Sequence, residues 1–95
     1  MPELDPVIHP PARLLVVTTL SAVSEAEFAT LRAALDVSDS VLSKHISALA
    51  DAGYVRSRKG VRDGRRTTWI ALTSAGREAL RHHVAALRQL IDVVD

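Results

Sequence analysis

The chain has 95 residues, room for one domain and not for two, and 47% of them are hydrophobic while only 3% are aromatic. A core drawn from Leu, Val, Ile and Ala suits packed helices, and the absence of cysteine excludes a disulfide scaffold, a thiolate zinc site and a cysteine nucleophile. The net charge of +1 favours no partner by itself, but its distribution does: residues 1–37 are net acidic, residues 38–73 carry seven basic against three acidic side chains, and residues 74–95 balance.

The chain begins with an acidic, Pro-rich run (Met1-Pro2-Glu3-Leu4-Asp5-Pro6) unlike a secretory signal, and residues 1–9 read as a tail to a domain spanning 10–95. Apolar stretches such as Leu14 to Val17 fall far short of the roughly 20 residues of a membrane span, so no membrane is expected and a cytoplasmic protein is. Pro10-Pro11 opens a helix predicted from about Ala12 to Val23, because proline fits the first turn. Leu14, Leu15, Val16, Val17, Leu20 and Val23 cover most of its circumference, which implies burial on more than one side.

Two readings fit the next segment. Ser24 to Glu27 has the spacing of a capping box, which starts a helix there; alternatively Ala26 to Phe28 is a short strand and the helix begins near Ala29. In both, Phe28, Leu31 and Leu35 share one face, and Asp36-Val37 ends the element. A third helix follows, at about 38–52, with Ser38 as N-cap and Gly53 as its stop. At 100° per residue Leu42, Ile46 and Leu49 form its buried stripe. Ser40, Lys44, Ser47 and Asp51 lie opposite, with Ser43 at the edge of the polar stripe and His45 at the edge of the buried one.

From 54 to 73 the period changes to that of a hairpin. Asp63-Gly64 is a two-residue turn signal that would pair Arg62 with Arg65, Arg58 with Trp69, Ser57 with Ile70 and Val55 with Leu72; a longer loop would shift that register. Val55, Ile70 and Leu72 then face the helices, while the Arg58 guanidinium lies over the Trp69 indole. Thr73 or Ser74 caps a last helix at about 74–94. Its Leu80, Val84, Leu87, Ile91 and Val94 recur at 4-3-4-3 spacing, a seam of about two heptads that needs another element against it.

These elements predict a mainly α fold with a small β-hairpin (α+β), a winged helix-turn-helix of four helices. Its third helix stands proud of the domain to enter a major groove and its hairpin touches the neighbouring backbone or minor groove. Short hydroxyls and Lys44 suit the helix for base edges and phosphates, and the hairpin places Arg56, Arg58, Lys59, Arg62, Arg65 and Arg66 against one acid, Asp63. The seam could serve the chain's own core, but the first helix has more apolar circumference than one small domain covers, which favours a two-fold arrangement of the first and last helices covering Leu15, Val16 and the seam Leu80, Val84, Leu87, Ile91, Val94.

The run Leu35-Asp36-Val37-Ser38-Asp39-Ser40-Val41-Leu42-Ser43-Lys44-His45-Ile46-Ser47-Ala48-Leu49-Ala50-Asp51-Ala52-Gly53-Tyr54-Val55 resembles the recognition-helix signature of MarR- and ArsR-like bacterial winged-helix regulators. Leu72-Thr73-Ser74-Ala75-Gly76-Arg77-Glu78-Ala79-Leu80 is similar to the start of their final helix, and His9-Pro10-Pro11-Ala12-Arg13-Leu14 to the start of the first helix in small members. The resemblance implies a homodimeric regulator of transcription, a repressor, that binds double-stranded DNA at the nucleoid and leaves room for an unidentified small-molecule effector. By position it implies DNA contacts from Ser38, Asp39, Ser40, Ser43 and Lys44, with Arg62, Arg65 and Arg66 in the wing; Ser47 joins them from the helix stripe.

Asp39 departs from the pattern, since many relatives place Gln there; an acid repels phosphate, so it either caps the helix or accepts from cytosine N4. Metal sensing does not carry over without cysteines, His82 and His83 point about 100° apart on their helix, and no metal or cofactor is expected. No Ser-His-Asp grouping, carboxylate pair or phosphate loop appears, which argues against an enzyme. The rival reading is a winged-helix module that binds protein and never touches DNA.

Overall fold

Pro11 stands at the first position of α1 (Pro11–Ser21), where its missing N–H would have had no intrahelical partner. In this computed structural model, which describes residues 3–94, α1 is followed by β1 (Ala26–Glu27), α2 (Phe28–Leu35), α3 (Asp39–Asp51), β2 (Val55–Arg62), β3 (Arg65–Leu72) and α4 (Ser74–Val94). Of the two readings of residues 24–28 the strand is the one adopted: β1 pairs antiparallel with β3, Ala26 opposite Ile70 and Glu27 opposite Trp69, and α2 begins at Phe28. The sheet order is β1-β3-β2, so the hairpin gains a third strand.

The hairpin closes at Asp63 and Gly64, whose φ values of 51° and 77° are what a two-residue turn of this hand requires. That turn fixes the register: Arg62 faces Arg65, Arg58 faces Trp69, Ser57 faces Ile70 and Val55 faces Leu72. Val55, Ile70 and Leu72 therefore share the buried face of the sheet and join Val16, Val17, Leu20, Leu31, Leu42, Ile46 and Leu49 in one core. Ser38 caps α3 by accepting the Val41 N–H at 3.2 Å, and Thr73 caps α4 by accepting the Gly76 N–H at 3.0 Å.

Residues 1–9 do not behave as a tail from Asp5 onward. The Asp5 carboxylate accepts the N–H groups of Val7 and Ile8 at 2.8 and 3.3 Å, and its carbonyl accepts that of His9 at 2.8 Å. This turn drops Ile8 into the core, where it is fully buried. The Tyr54 hydroxyl donates to the other Asp5 carboxylate oxygen at 2.6 Å, so the segment straps the start of β2 to α4. Met1, Pro2 and Asp95, the outer ends of the expected tail and domain, lie outside the described residues.

Helix α4 turns a different side to its own domain from the apolar seam. Gly76, His83 and Ala86 are buried there, with Ala79 and Leu80 packed at the margin of the core. That side lies roughly a quarter of the circumference from the seam centre. Along the seam Leu80, Val84 and Leu87 are half-buried, while Ile91 and Val94 are 61% and 87% exposed. One expected interface residue is corrected: Val16 is fully buried in the chain's own core, between α1 and its neighbours, and offers nothing to a second subunit. Its neighbour Leu15, 100° round the helix, is 50% exposed.

Candidate nucleic-acid interface

The three apolar residues that bury α3 leave its other side to solvent, and the hydrogen bonds sort the polar residues found there. Ser43, Lys44 and Ser47 are exposed and make no side-chain hydrogen bond or ion pair among the described residues. Ser38 is occupied by the cap and lies 3.2 Å from the Ser40 hydroxyl. Asp39 pairs with Arg32 of α2 at 2.9 Å, which answers the departure in the motif: its charge meets a cation of the same domain, at the helix end where an acid is favourable. Val41, 41% exposed, joins Ser40, Ser43, Lys44 and Ser47 in lining one shallow hollow.

His45 stands behind this surface and not on it. Half-buried, it accepts the Arg13 Nε–H at Nδ1 over 3.3 Å, and burial, with the Arg13 and Lys44 cations nearby, holds its pKa below the ordinary histidine value. Arg13 also donates to the Val7 carbonyl at 3.3 Å, so the N-terminal strap reaches α3 through one guanidinium.

In the wing the arginines divide into two groups. Arg58 donates to both oxygens of Glu25 and lies 5.5 Å from the Trp69 ring centroid, the stacking expected from the register. Arg62 pairs with Glu27, which also accepts the Thr67 hydroxyl at 2.8 Å, and has Asp63 4.0 Å away. The Thr67 and Arg62 hydrogen bonds hold the Glu27 carboxyl below its usual pKa, and the Arg58 bond does the same for Glu25. Arg56, Arg65 and Arg66 are exposed and form no ion pair among the described residues, while Lys59 donates to Thr68 at 3.1 Å.

Of the residues singled out from sequence, Ser40, Ser43, Lys44 and Ser47 thus come together on one helix surface, and Arg65 and Arg66 stand free at the hairpin tip. Ser38, Asp39 and Arg62 are already engaged within the domain. Sequence reasoning missed Glu25 and Glu27. Their i, i+2 spacing ahead of the Phe28 helix was the available signal, because strand alternation puts both on one face, towards the wing arginines.

Among the described residues no cluster of three or more His, Cys, Asp or Glu side chains could hold a metal ion, and no helix is long and apolar enough to cross a membrane.

Comparison with known proteins adds the family. A family model described as a winged helix DNA-binding domain matches residues 12–91. An uncharacterized protein of Methanocaldococcus jannaschii is 31% identical over 78 residues, which is 82% of this chain and 85% of that protein. The structure of a transcriptional regulator homologue from Pyrococcus horikoshii superposes with a TM-score of 0.88 at 28% identity, covering 94% of this chain and 88% of that one. ZitR, a zinc-responsive MarR family member from Lactococcus lactis, shares the fold at a TM-score of 0.63 and 18% identity; the match covers 87% of this chain and 56% of that one.

Proposed function

The chain belongs to the winged helix DNA-binding domain family, and from that membership we propose that it binds double-stranded DNA as a homodimer and regulates transcription in the cytoplasm as a repressor. The observation that carries this reading is the pairing of an uncommitted Ser43-Lys44-Ser47 helix surface with uncommitted Arg65 and Arg66 at the wing tip. Helix α3 supplies donors and acceptors to base edges in the major groove, and the wing supplies cations to phosphates.

The homodimer rests on apolar surface that one copy leaves uncovered. Leu15, the half-buried Leu80, Val84 and Leu87, and the exposed Ile91 and Val94 are the side chains a second copy would cover across a two-fold axis. A small-molecule effector would find polar groups in the groove of about 850 Å³ between residues 3–7 and α4, where Tyr54, Glu78, His82 and Gln89 stand.

Selection of duplexes from a random pool, followed by a salt titration of the best site, tests the reading. Neutralising Z phosphates gives a slope near −0.9Z in log K against log salt. Sedimentation should report a dimer for the native chain and a monomer for Ile91→Asp with Val94→Asp. Failure to select any sequence, with no binding at low salt, would leave the protein-binding alternative.

A further inference from the structure

We infer that Val41 is a specificity-determining residue, reading the 5-methyl group of a thymine in the major groove. The inference rests on the DNA-binding reading above and names a base that the operator must contain.

It follows from what remains on α3 once the domain's own bonds are subtracted. Ser38 is committed to the cap and Asp39 to Arg32, so the first turn has lost two of its polar groups to the fold. Ahead of Asp51 at the far end of the helix, the side chains gathered around a single outward hollow are Ser40, Ser43, Ser47, one cation and one isopropyl group. Every other branched aliphatic residue of the helix, Leu42, Ile46 and Leu49, is buried. Val41 alone among them is exposed, one turn from Lys44 and near the helix start that enters a groove first.

A β-branched residue gains nothing for the helix at an exposed position, since it is a weaker helix former than Ala or Lys. Of the groups on base edges in the major groove, the thymine methyl is the one that is apolar. An isopropyl group set among hydroxyls is complementary to it. Against cytosine the same group would leave the N4 amino donor facing hydrocarbon, so Val41 favours thymine by attraction and disfavours cytosine by desolvation.

The test uses the full chain and its best selected duplex, with each thymine in turn replaced by deoxyuridine, which removes only the methyl. Native protein should lose about fourfold in affinity at one thymine per half-site, the worth of one methyl group taken out of water. Val41→Ser, which replaces both methyl groups by a hydroxyl and is tolerated because the position is exposed, should bind the two duplexes equally. Loss at that position in Val41→Ser as well would overturn the inference, because another group or the DNA shape would then be the reader. So would a selected site without thymine, or one indifferent to deoxyuridine throughout; in both, sequence-specific binding stands while the role of Val41 falls. Absence of any selected sequence would overturn the inference together with the reading beneath it.

Discussion

The Asp5 backbone amide donates to Nδ1 of His83 over 3.0 Å, joining two residues 78 positions apart. Because Nδ1 accepts, the imidazole is neutral with its proton on Nε2, and that N–H is buried without a partner among the described residues. Burial, with His9 beside it at 5.6 Å between ring centroids, pushes the His83 pKa below its ordinary value of 6.5, and the Asp5 carboxylate opposes this only in part.

A histidine whose folded pKa is depressed takes up protons more readily when unfolded, so its contribution to stability is complete above about pH 6.5 and is lost as pH falls below that value. His45 is shifted in the same direction and adds to the same step. Asp5 contributes later: burial raises its pKa, but the Tyr54 hydroxyl and the Val7 and Ile8 amides lower it more, so its stabilisation is lost below about pH 3.8. Melting temperature followed by circular dichroism should therefore fall in two steps on acidification. His83→Asn, whose amide oxygen can accept the Asp5 N–H without titrating, should flatten the first step and retain the part due to His45. An unaltered first step in that variant would assign it to His45 alone.

Tyr54 tests the same strap from its other end. Its hydroxyl bond to Asp5 raises the tyrosine pKa and holds the carboxylate over the start of β2. Tyr54→Phe should cost about 1.5 kcal/mol, the usual loss for a hydrogen bond to a charged group. Urea unfolding should show a lower midpoint with an unchanged slope, since the surface exposed on unfolding is the same.

The elements legible in the sequence are those fixed by neighbours in the chain. The Leu42-Ile46-Leu49 stripe, the Ser38 cap and the register set by Asp63-Gly64 all depend on residues within one helix or hairpin. Contacts formed across the chain were not legible. Glu25 and Glu27 meet arginines 33 and 35 positions away, and Asp5 meets His83 across 78. On α4 hydrophobic spacing pointed to Leu80, Val84, Leu87, Ile91 and Val94, whereas close packing selected Gly76, Ala79, His83 and Ala86. Small residues admit near approach of another element, a property that a search for large apolar side chains passes over.

Gly76 makes that point testable. A Cβ placed on it would collide with the Tyr54 carbonyl oxygen and lie 2.7 Å from Leu72 Cδ1, so backbone as well as side chain would have to move. Gly76→Ala raises helix propensity, yet it should destabilise the protein by about 2–3 kcal/mol because overpacking outweighs the helical gain. Thermal denaturation compared with Ala75→Gly, at an exposed position next to it, separates the two effects. Ala75→Gly should cost about 1 kcal/mol or less.

The wing cations differ in their freedom to reach DNA. Arg62 is held by Glu27, and Glu27 is itself anchored by Thr67, so presenting Arg62 to a phosphate requires giving up an existing ion pair. Arg65 and Arg66 have no such competitor among the described residues. On the DNA-binding reading, Arg65→Ala or Arg66→Ala should each reduce the salt slope by about 0.9, the share of one phosphate contact. Arg62→Ala should reduce it less. Glu27→Gln, which keeps an acceptor for Thr67 but removes the charge, should release Arg62 and steepen the slope beyond that of the native protein. Fluorescence anisotropy of a labelled duplex over a range of NaCl concentrations measures all four. A loss in Arg62→Ala equal to that in Arg65→Ala would mean that the Glu27 pair opens on binding.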